Sequence, residues 1–139
     1  MSLSIRNQIP GTVTAITSGE VMATVKVRLT GGQEITAAIT LESAEELGLT
    51  AGSAVRALVK STEVSLATAP VGGLSIRNQL PGTVTDVTTG GAMASVKVAV
   101  DGGELTSAIT KDAVTDLALT TGTPVVALIK STEISLATA

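Results

Sequence analysis

The clearest pattern in the chain is an alternation of apolar and polar residues over positions 21–30. The apolar positions are Val21, Ala23, Val25, Val27 and Leu29. This period of two predicts a β-strand with one buried face. Similar alternation predicts strands over 12–17 and 34–39. Pro10-Gly11 predicts a bend or bulge where the first strand changes direction.

The pattern changes at Thr40, which is a favourable N-cap for a short helix over 41–47. Gly48 is a favourable residue to end that helix. Two further strands are predicted over 54–59 and 63–67. The order of three strands, a helix and two strands is that of a five-stranded Greek-key barrel of the OB type.

The whole pattern occurs twice. Leu3 to Ala69 aligns with Leu74 to Ala139 with one gap, opposite Gln33, and 41 of the 66 aligned positions are identical. Pro70 and the pair Gly72-Gly73 are typical of a short linker. We therefore predict an all-β protein of two tandem OB-like barrels, each with one short helix between strands 3 and 4. Its segments are a first domain over 1–69, a linker over 70–73 and a second domain over 74–139.

Each copy is near the lower size limit for a domain that folds alone. The chain has no Phe, Tyr, Trp or Cys, so neither large aromatic side chains nor disulfides enlarge or staple its core. Small units of this kind commonly need extra burial from a partner. We expect the two copies to pack against each other and against further copies of the chain.

The composition excludes several classes of function. Without His or Cys, zinc, copper and haem sites are not expected, and neither is catalysis by a Ser/His/Asp or Cys/His arrangement. We therefore predict no cofactor, no metal cation and no enzymatic activity. The formal net charge of -3, the absence of a basic run and the lack of aromatic residues argue against nucleic-acid binding.

No segment of the sequence indicates a membrane. No apolar stretch approaches the roughly 20 residues of a membrane-spanning helix. No charged and then apolar leader opens the chain. The sequence therefore predicts a soluble cytoplasmic protein.

Two polar strings recur in both copies and carry the candidate chemistry. They are Ser4-Ile5-Arg6-Asn7-Gln8 with Ser75-Ile76-Arg77-Asn78-Gln79, and Lys60-Ser61-Thr62-Glu63 with Lys130-Ser131-Thr132-Glu133. Their cations, hydroxyls and amides are donors suited to an oxyanion. Each pair of strings therefore predicts an anion pocket, although a single Arg or Lys is more often a solvated surface cation.

The other charged residues are adequately explained as solvated. Lys26 and Lys97 recur on the polar face of a predicted strand, while Arg28, Arg56 and Lys111 have no charged counterpart in the other copy. The recurring carboxylates show no spacing typical of a general acid and base. Two interpretations of the repeated asparagines stay open at this point: they hold a turn, or they donate to a ligand.

The repeated strings resemble the molbindin (Mop) family. The resemblance rests on Ser-Ile-Arg-Asn-Gln-x-Pro-Gly-Thr-Val, on Ile-Thr before the helix, and on Leu-x-Lys-Ser-Thr-Glu. It covers nearly all of both copies and is similar to the tandem, di-Mop form. It implies OB-like barrels that bind molybdate or tungstate for cytoplasmic storage and homeostasis of molybdenum. It also implies a homotrimer of six barrels with anions at contacts between barrels.

The resemblance also implies which residues bind the oxyanion. The matching ligands are Ser4, Arg6, Lys60, Ser61, Ser75, Arg77, Lys130 and Ser131. The backbone N–H groups at Ile5 and Ile76 are additional candidates, and Thr62 and Thr132 complete the strings. The candidates for a second, axial site are Asn7, Gln8, Asn78 and Gln79. A structural oligomerisation module, and a general sulfate or phosphate binder, are the alternative functions.

Overall fold

The computed structural model describes residues 2–138. Its strands are β1 Asn7–Ser18, β2 Met22–Leu29, β3 Glu34–Thr40, β4 Ala54–Val59, β5 Ser65–Ala67, β6 Asn78–Thr89, β7 Met93–Val100, β8 Gly103–Thr110, β9 Pro124–Ile129 and β10 Ser135–Thr138. The helices are α1 Leu41–Glu46 and α2 Lys111–Asp116, and two 3-10 turns cover Ser61–Glu63 and Ser131–Glu133. This order confirms the predicted all-β fold with one short helix after the third strand of each copy.

Strand β2 shows how the alternating pattern becomes a half-buried strand. Its buried residues are Ala23, Val25, Val27 and Leu29, and the residues between them are exposed. The prediction that Val21 shares this buried face is wrong, because its side chain is 72% exposed. Val21 lies before β2, in the turn where its carbonyl accepts a hydrogen bond from the Leu41 N–H.

Strand β1 has no bulge at Pro10-Gly11, although it passes from pairing with β4 to pairing with β2 close to this pair. Its register with β4 is unbroken over that pair, and the shift against β2 comes later, at Thr14. Gly11 is needed for close approach instead, since a Cβ atom there would lie 2.8 Å from the Arg28 carbonyl oxygen. The Thr14 hydroxyl donates to the Lys26 carbonyl across the bulge.

The helix ends follow the sequence closely. The Thr40 hydroxyl accepts a hydrogen bond from the Ser43 N–H, as expected of an N-cap. Gly48 ends α1 at a φ of +62°. In the second copy Ala118 takes the same place at a φ of +52°, a conformation that costs a residue with a Cβ atom free energy. None of the helices among residues 2–138 has the length and hydrophobicity that a membrane crossing requires.

The two five-stranded sheets exchange their last strands. The strand orders are β10-β4-β1-β2-β3 and β5-β9-β6-β7-β8, so each sheet takes its fifth strand from the other copy. Leu136 of β10 lies opposite Ala57 of β4, and Leu66 of β5 lies opposite Ala127 of β9. The predicted boundaries at 69 and 74 therefore describe repeats of the sequence, whereas each folded sheet contains residues from both.

A shared hydrophobic core joins the two copies. One cluster of buried side chains includes Val25 and Val27 of the first copy together with Leu105 and Ile129 of the second. Ile134, which precedes the exchanged strand β10, belongs to the same cluster and is only 2% exposed. The expectation that the copies pack against each other is confirmed by this cluster.

Candidate anion-binding site

Strand pairing brings the two polar strings of each copy to the same end of a sheet. Asn7 at the start of β1 pairs with Val59 at the end of β4, so the segments that carry Arg6 and Lys60 both begin just beyond that pair. In the second copy Asn78 pairs with Ile129 in the same way. In each copy the segment that carries the arginine and the turn that carries the lysine therefore lie at the same end of adjacent strands.

The second copy shows a small pocket between its strings. Its volume is about 250 Å³, and its lining residues are Ser75, Ile76, Lys130, Ser131 and Thr132. Pockets for drug-sized ligands typically measure about 300–1,000 Å³, so this one is suited to something smaller. Its lining combines an ammonium with three hydroxyl groups and contains no carboxylate, which favours a small anion.

The two arginines hold the backbone that precedes them. The Arg6 guanidinium donates to the Leu3 carbonyl at 2.7 Å and to the Ser4 carbonyl at 3.1 Å. Arg77 donates in the same way to the Leu74 carbonyl at 2.6 Å. A guanidinium has five N–H donors, so these contacts use only part of its capacity. Each exposed arginine therefore shapes its loop and still offers donors and charge outwards.

The hydroxyl of Ser61 is a buried donor without a partner. Its Oγ atom is shielded from solvent and makes no hydrogen bond to any of the described residues 2–138. Burying a hydroxyl without a partner costs about 1–3 kcal/mol, so such groups are usually satisfied by something. Ser61 follows directly after Lys60, and an oxyanion beside that lysine would accept from the hydroxyl.

Two like charges meet at each site. Arg6 and Lys60 are both exposed and lie at the same strand end, as do Arg77 and Lys130. Two exposed cations at one strand end raise the positive potential there, which favours an anion. Exposed Thr62 and half-buried Ile5 belong to the same two strings of the first copy and flank the cations.

The asparagines of the strings join the two copies. The Asn7 side chain donates to the Thr106 carbonyl at 2.9 Å and accepts from the Thr106 N–H at 2.7 Å. Asn78 makes the same pair of bonds with Thr36, at 2.9 and 2.8 Å. Both asparagines are buried, with 2% and 4% exposure. Of the two interpretations left open by the sequence, these contacts favour a structural one.

The glutamines that follow bind backbone near the sites. The Gln8 amide donates to the Ile5 carbonyl at 3.0 Å, and Gln79 donates to the Ile76 carbonyl at 3.2 Å. Gln79 also donates to the carbonyl of Val71 in the linker at 3.0 Å and accepts from the Val71 N–H at 3.3 Å. These bonds give the glutamines a role in shaping the loop that carries each arginine.

Sequence reasoning missed one further residue near the first site. Ser107 of β8 is fully buried and donates to the Val64 carbonyl at 2.6 Å, immediately after the first 3-10 turn. The signal available in the sequence was a serine on the buried face of a strand, at the place where the first copy has Ala37. Nothing in the sequence showed that its partner lies in the other copy.

A larger cavity of about 690 Å³ lies elsewhere, along α1. Its lining includes four glutamates, Glu20, Glu42, Glu45 and Glu46, with no cation among its lining residues. Such a lining repels an oxyanion, so the smaller pocket between the strings is the better anion site. Among the described residues, no group of acidic side chains is arranged to hold a metal ion.

Comparison with known proteins gives matches over both copies. The TOBE domain model matches residues 3–66 and 74–136. The molybdenum transport protein ModE of Herbaspirillum seropedicae is 39% identical over 139 residues, which cover 99% of this chain and 52% of ModE. The molybdenum-pterin-binding protein MopB of Rhodobacter capsulatus is 40% identical, covering 96% of this chain and 50% of MopB. The chain thus spans about half the length of these two relatives.

A solved structure matches the whole chain. The crystal structure of the cytoplasmic molybdate-binding protein ModG, with molybdate bound, superposes with a TM-score of 0.97 at 44% identity and covers 100% of both chains. A single-copy relative, the molybdenum-pterin-binding protein 2 of Clostridium pasteurianum, is 46% identical over 66 residues, or 48% of this chain and 97% of that protein. The resemblance that the repeated strings indicated is therefore confirmed: the chain belongs to the TOBE-domain family, as a tandem molbindin (Mop) protein with two such domains.

Proposed function

We propose that this protein binds molybdate at the sites formed by its repeated strings. The observation that carries the proposal is the pocket of about 250 Å³ lined by Lys130, Ser131, Thr132 and the Ser75-Ile76 loop. A tetrahedral dianion needs compensating charge and many hydrogen-bond donors, and this lining supplies one ammonium and three hydroxyl groups. The match over the whole chain to a molybdate-binding protein supports the choice of anion.

Each proposed site uses the strings in the same way. The lysine and arginine supply the two positive charges that a dianion requires, and the serine and threonine hydroxyls donate to its oxygens. The proposed ligands are Ser4, Arg6, Lys60, Ser61 and Thr62 with the Ile5 backbone, and Ser75, Arg77, Lys130, Ser131 and Thr132 with the Ile76 backbone. The unpartnered Oγ atom of Ser61 supports this assignment.

The axial site is proposed more narrowly than the sequence suggested. The amide groups of Asn7 and Asn78 are engaged with backbone of the other copy. Gln8 and Gln79 keep a half-buried side chain beside the loops. For a second anion near these strings we propose Gln8 as the contact, since one of its amide N–H groups remains free, whereas Gln79 donates to both the Val71 and Ile76 carbonyls and the asparagines hold the sheets together.

Storage and homeostasis of molybdate in the cytoplasm is the role we propose for such binding. A trimer with six barrels would place the exposed cations at seams between barrels, where charge and hydrogen bonds act more strongly than in open water. Tungstate has the same tetrahedral shape and charge, and we propose that it competes for the same sites. We propose no catalytic step and no cofactor.

Equilibrium dialysis against molybdate, with sulfate and phosphate as competitors, tests this function. We expect saturable binding that a large excess of sulfate does not displace. Lys60→Ala combined with Lys130→Ala should weaken binding at least about tenfold, since each change removes a charge-assisted contact. Lys26→Ala combined with Lys97→Ala, on the solvated strand faces, is the matched control and should leave the affinity within about twofold.

Two outcomes would contradict the proposal. Equal binding of sulfate and molybdate would support a general oxyanion binder. If none of these anions binds saturably, the result would support the alternative of a structural oligomerisation module. Light scattering on the same samples reports the assembly, for which we expect three chains per particle.

A further inference from the structure

The two copies surround their sites differently, although their strings are identical. In the first copy the Gln8 amide oxygen accepts from the Arg56 guanidinium at 3.4 Å, and the amide nitrogen donates to the Ile5 carbonyl. In the second copy Val126 stands where the first has Arg56, and it is only 5% exposed. The second site therefore lacks a cation that the first one has nearby.

The Gln79 side chain of the second copy is bound to the linker instead. Its amide oxygen accepts from the Val71 N–H and its amide nitrogen donates to the Val71 carbonyl. The linker is a neutral stretch, Pro70-Val71-Gly72-Gly73. The same glutamine position thus connects one site to a guanidinium and the other site to an uncharged backbone.

The 3-10 turns that carry the lysine and serine are also held differently. Ser107 donates to the Val64 carbonyl at 2.6 Å, and the Val64 N–H in turn donates to the Ser61 carbonyl. This chain of bonds ties the end of the first turn to β8 of the other copy. At the equivalent place facing the second turn, the first copy has Ala37, which has no hydroxyl to donate. The first turn is therefore the better anchored of the two.

We propose that the first-copy site binds its oxyanion more tightly than the second-copy site, with Arg56 and Ser107 as positioning residues. Arg56 donates to Gln8, which donates to the Ile5 carbonyl, so its guanidinium lies two hydrogen bonds from the Ser4-Ile5-Arg6 loop and adds positive potential there, with a screening length of about 10 Å at 0.1 M salt. Ser107 restricts the movement of the turn that carries Lys60 and Ser61, so less ordering is needed on binding. The proposal rests on the anion-binding function proposed above.

Single-site variants test the difference directly. Lys130→Ala leaves the first-copy site intact, and Lys60→Ala leaves the second. Titration calorimetry with sodium molybdate on the full chain should give a dissociation constant at least about threefold lower for the Lys130→Ala protein, the size expected of one exposed charge interaction. Failure of both proteins to bind molybdate would overturn the proposed function itself, whereas equal dissociation constants would overturn only the inference.

Arg56 is then tested inside each background. Arg56→Val copies the second-copy residue, and it should weaken the first-copy site and flatten the dependence of its affinity on salt. Arg56→Lys should retain both properties, because it keeps the charge. In the Lys60→Ala background, neither Arg56→Val nor Arg56→Lys should change the affinity for molybdate or its dependence on salt. Equal weakening of both sites by Arg56→Val, or an unchanged salt dependence at the first site, would contradict the proposed role.

Ser107→Ala tests the second proposed positioning residue. It should weaken molybdate binding in the Lys130→Ala background and leave binding in the Lys60→Ala background within about twofold. A loss of the same size in both backgrounds would show that Ser107 acts through overall stability and would overturn its assignment as a positioning residue. Circular dichroism of each variant at the titration temperature confirms that the fold is intact.

Discussion

At the scale of single residues, some side chains of the strings are placed to bind an anion, and others hold the two copies together. Lys130 and Ser131 line a pocket that an anion can reach, whereas Asn7 and Asn78 connect the two copies. All these residues are polar neighbours in the sequence, and their types alone do not separate the two roles. The separation follows from burial, because an asparagine with 2% exposure must bond to protein.

The first prediction at this scale concerns Asn7. Asn7→Ala removes two hydrogen bonds to Thr106 and leaves those backbone groups without their partner. We expect the free energy of unfolding to fall by about 1–3 kcal/mol. Urea unfolding followed by circular dichroism measures it, since the chain has no Trp or Tyr for fluorescence. Thr17→Ala, at an exposed position, is the control, and an equal effect of the two changes would refute this role.

The second prediction concerns Ala118, which holds a φ of +52° where the first copy has a glycine. Ala118→Gly should raise the free energy of unfolding by about 1 kcal/mol, because the left-handed conformation costs alanine roughly that amount. Gly48→Ala, the reverse change at the equivalent position, should lower it similarly. Both are measured by urea unfolding. A destabilised Ala118→Gly protein would show that flexibility of the unfolded chain outweighs the strain.

At the scale of elements, local pattern predicted most of the structure. The fourth strand lies at 54–59 as expected, and Thr40 caps α1. The strand exchange was not predictable, because Ser65-Leu66-Ala67 and Ser135-Leu136-Ala137 are the same sequence. Either segment satisfies the pattern beside β4 or β9, so the sequence does not show which sheet it joins. The contact between Ser107 and Val64 was not predictable either, because it joins the two copies.

The exchanged segment gives a prediction for Ile134, which enters the shared core just before β10. Ile134→Ala should destabilise the protein by about 2–5 kcal/mol, because it opens a cavity in a fully buried cluster. Val21→Ala, at a 72% exposed position, should change stability by less than about 0.5 kcal/mol. Urea unfolding of the two variants measures the difference. A loss below 1 kcal/mol for Ile134→Ala would contradict its place in the shared core.

At the scale of the whole molecule, the two copies share their sheets and part of their core. Each sheet is completed by the other copy, and one core cluster contains side chains from both. Duplication in the sequence predicted two domains and their mutual packing. It did not predict that each sheet is completed by the other copy, because that depends on which sheet a strand of three or four residues joins. The placement of the arginine and lysine segments at one strand end, in contrast, follows from strings that flank adjacent strands.

This interdependence predicts the behaviour of a half-length chain. A fragment of residues 1–69 contains β5 but not β9, its partner strand. We expect it to dimerise by exchanging β5 between two fragments, since β4 of a second fragment resembles β9, the missing partner strand. Light scattering across a range of concentrations should show a dimer that dissociates with loss of β structure. A folded monomer at all concentrations would contradict the prediction.

If the paired strings form the oxyanion sites, a crystal of the protein grown with sodium molybdate should show it, with diffraction measured at the molybdenum absorption edge. We expect anomalous peaks beside Lys60-Ser61 and Lys130-Ser131, within hydrogen-bond distance of the serine hydroxyls. Strong peaks only elsewhere, or none beside either lysine in a crystal of the intact protein, would contradict it.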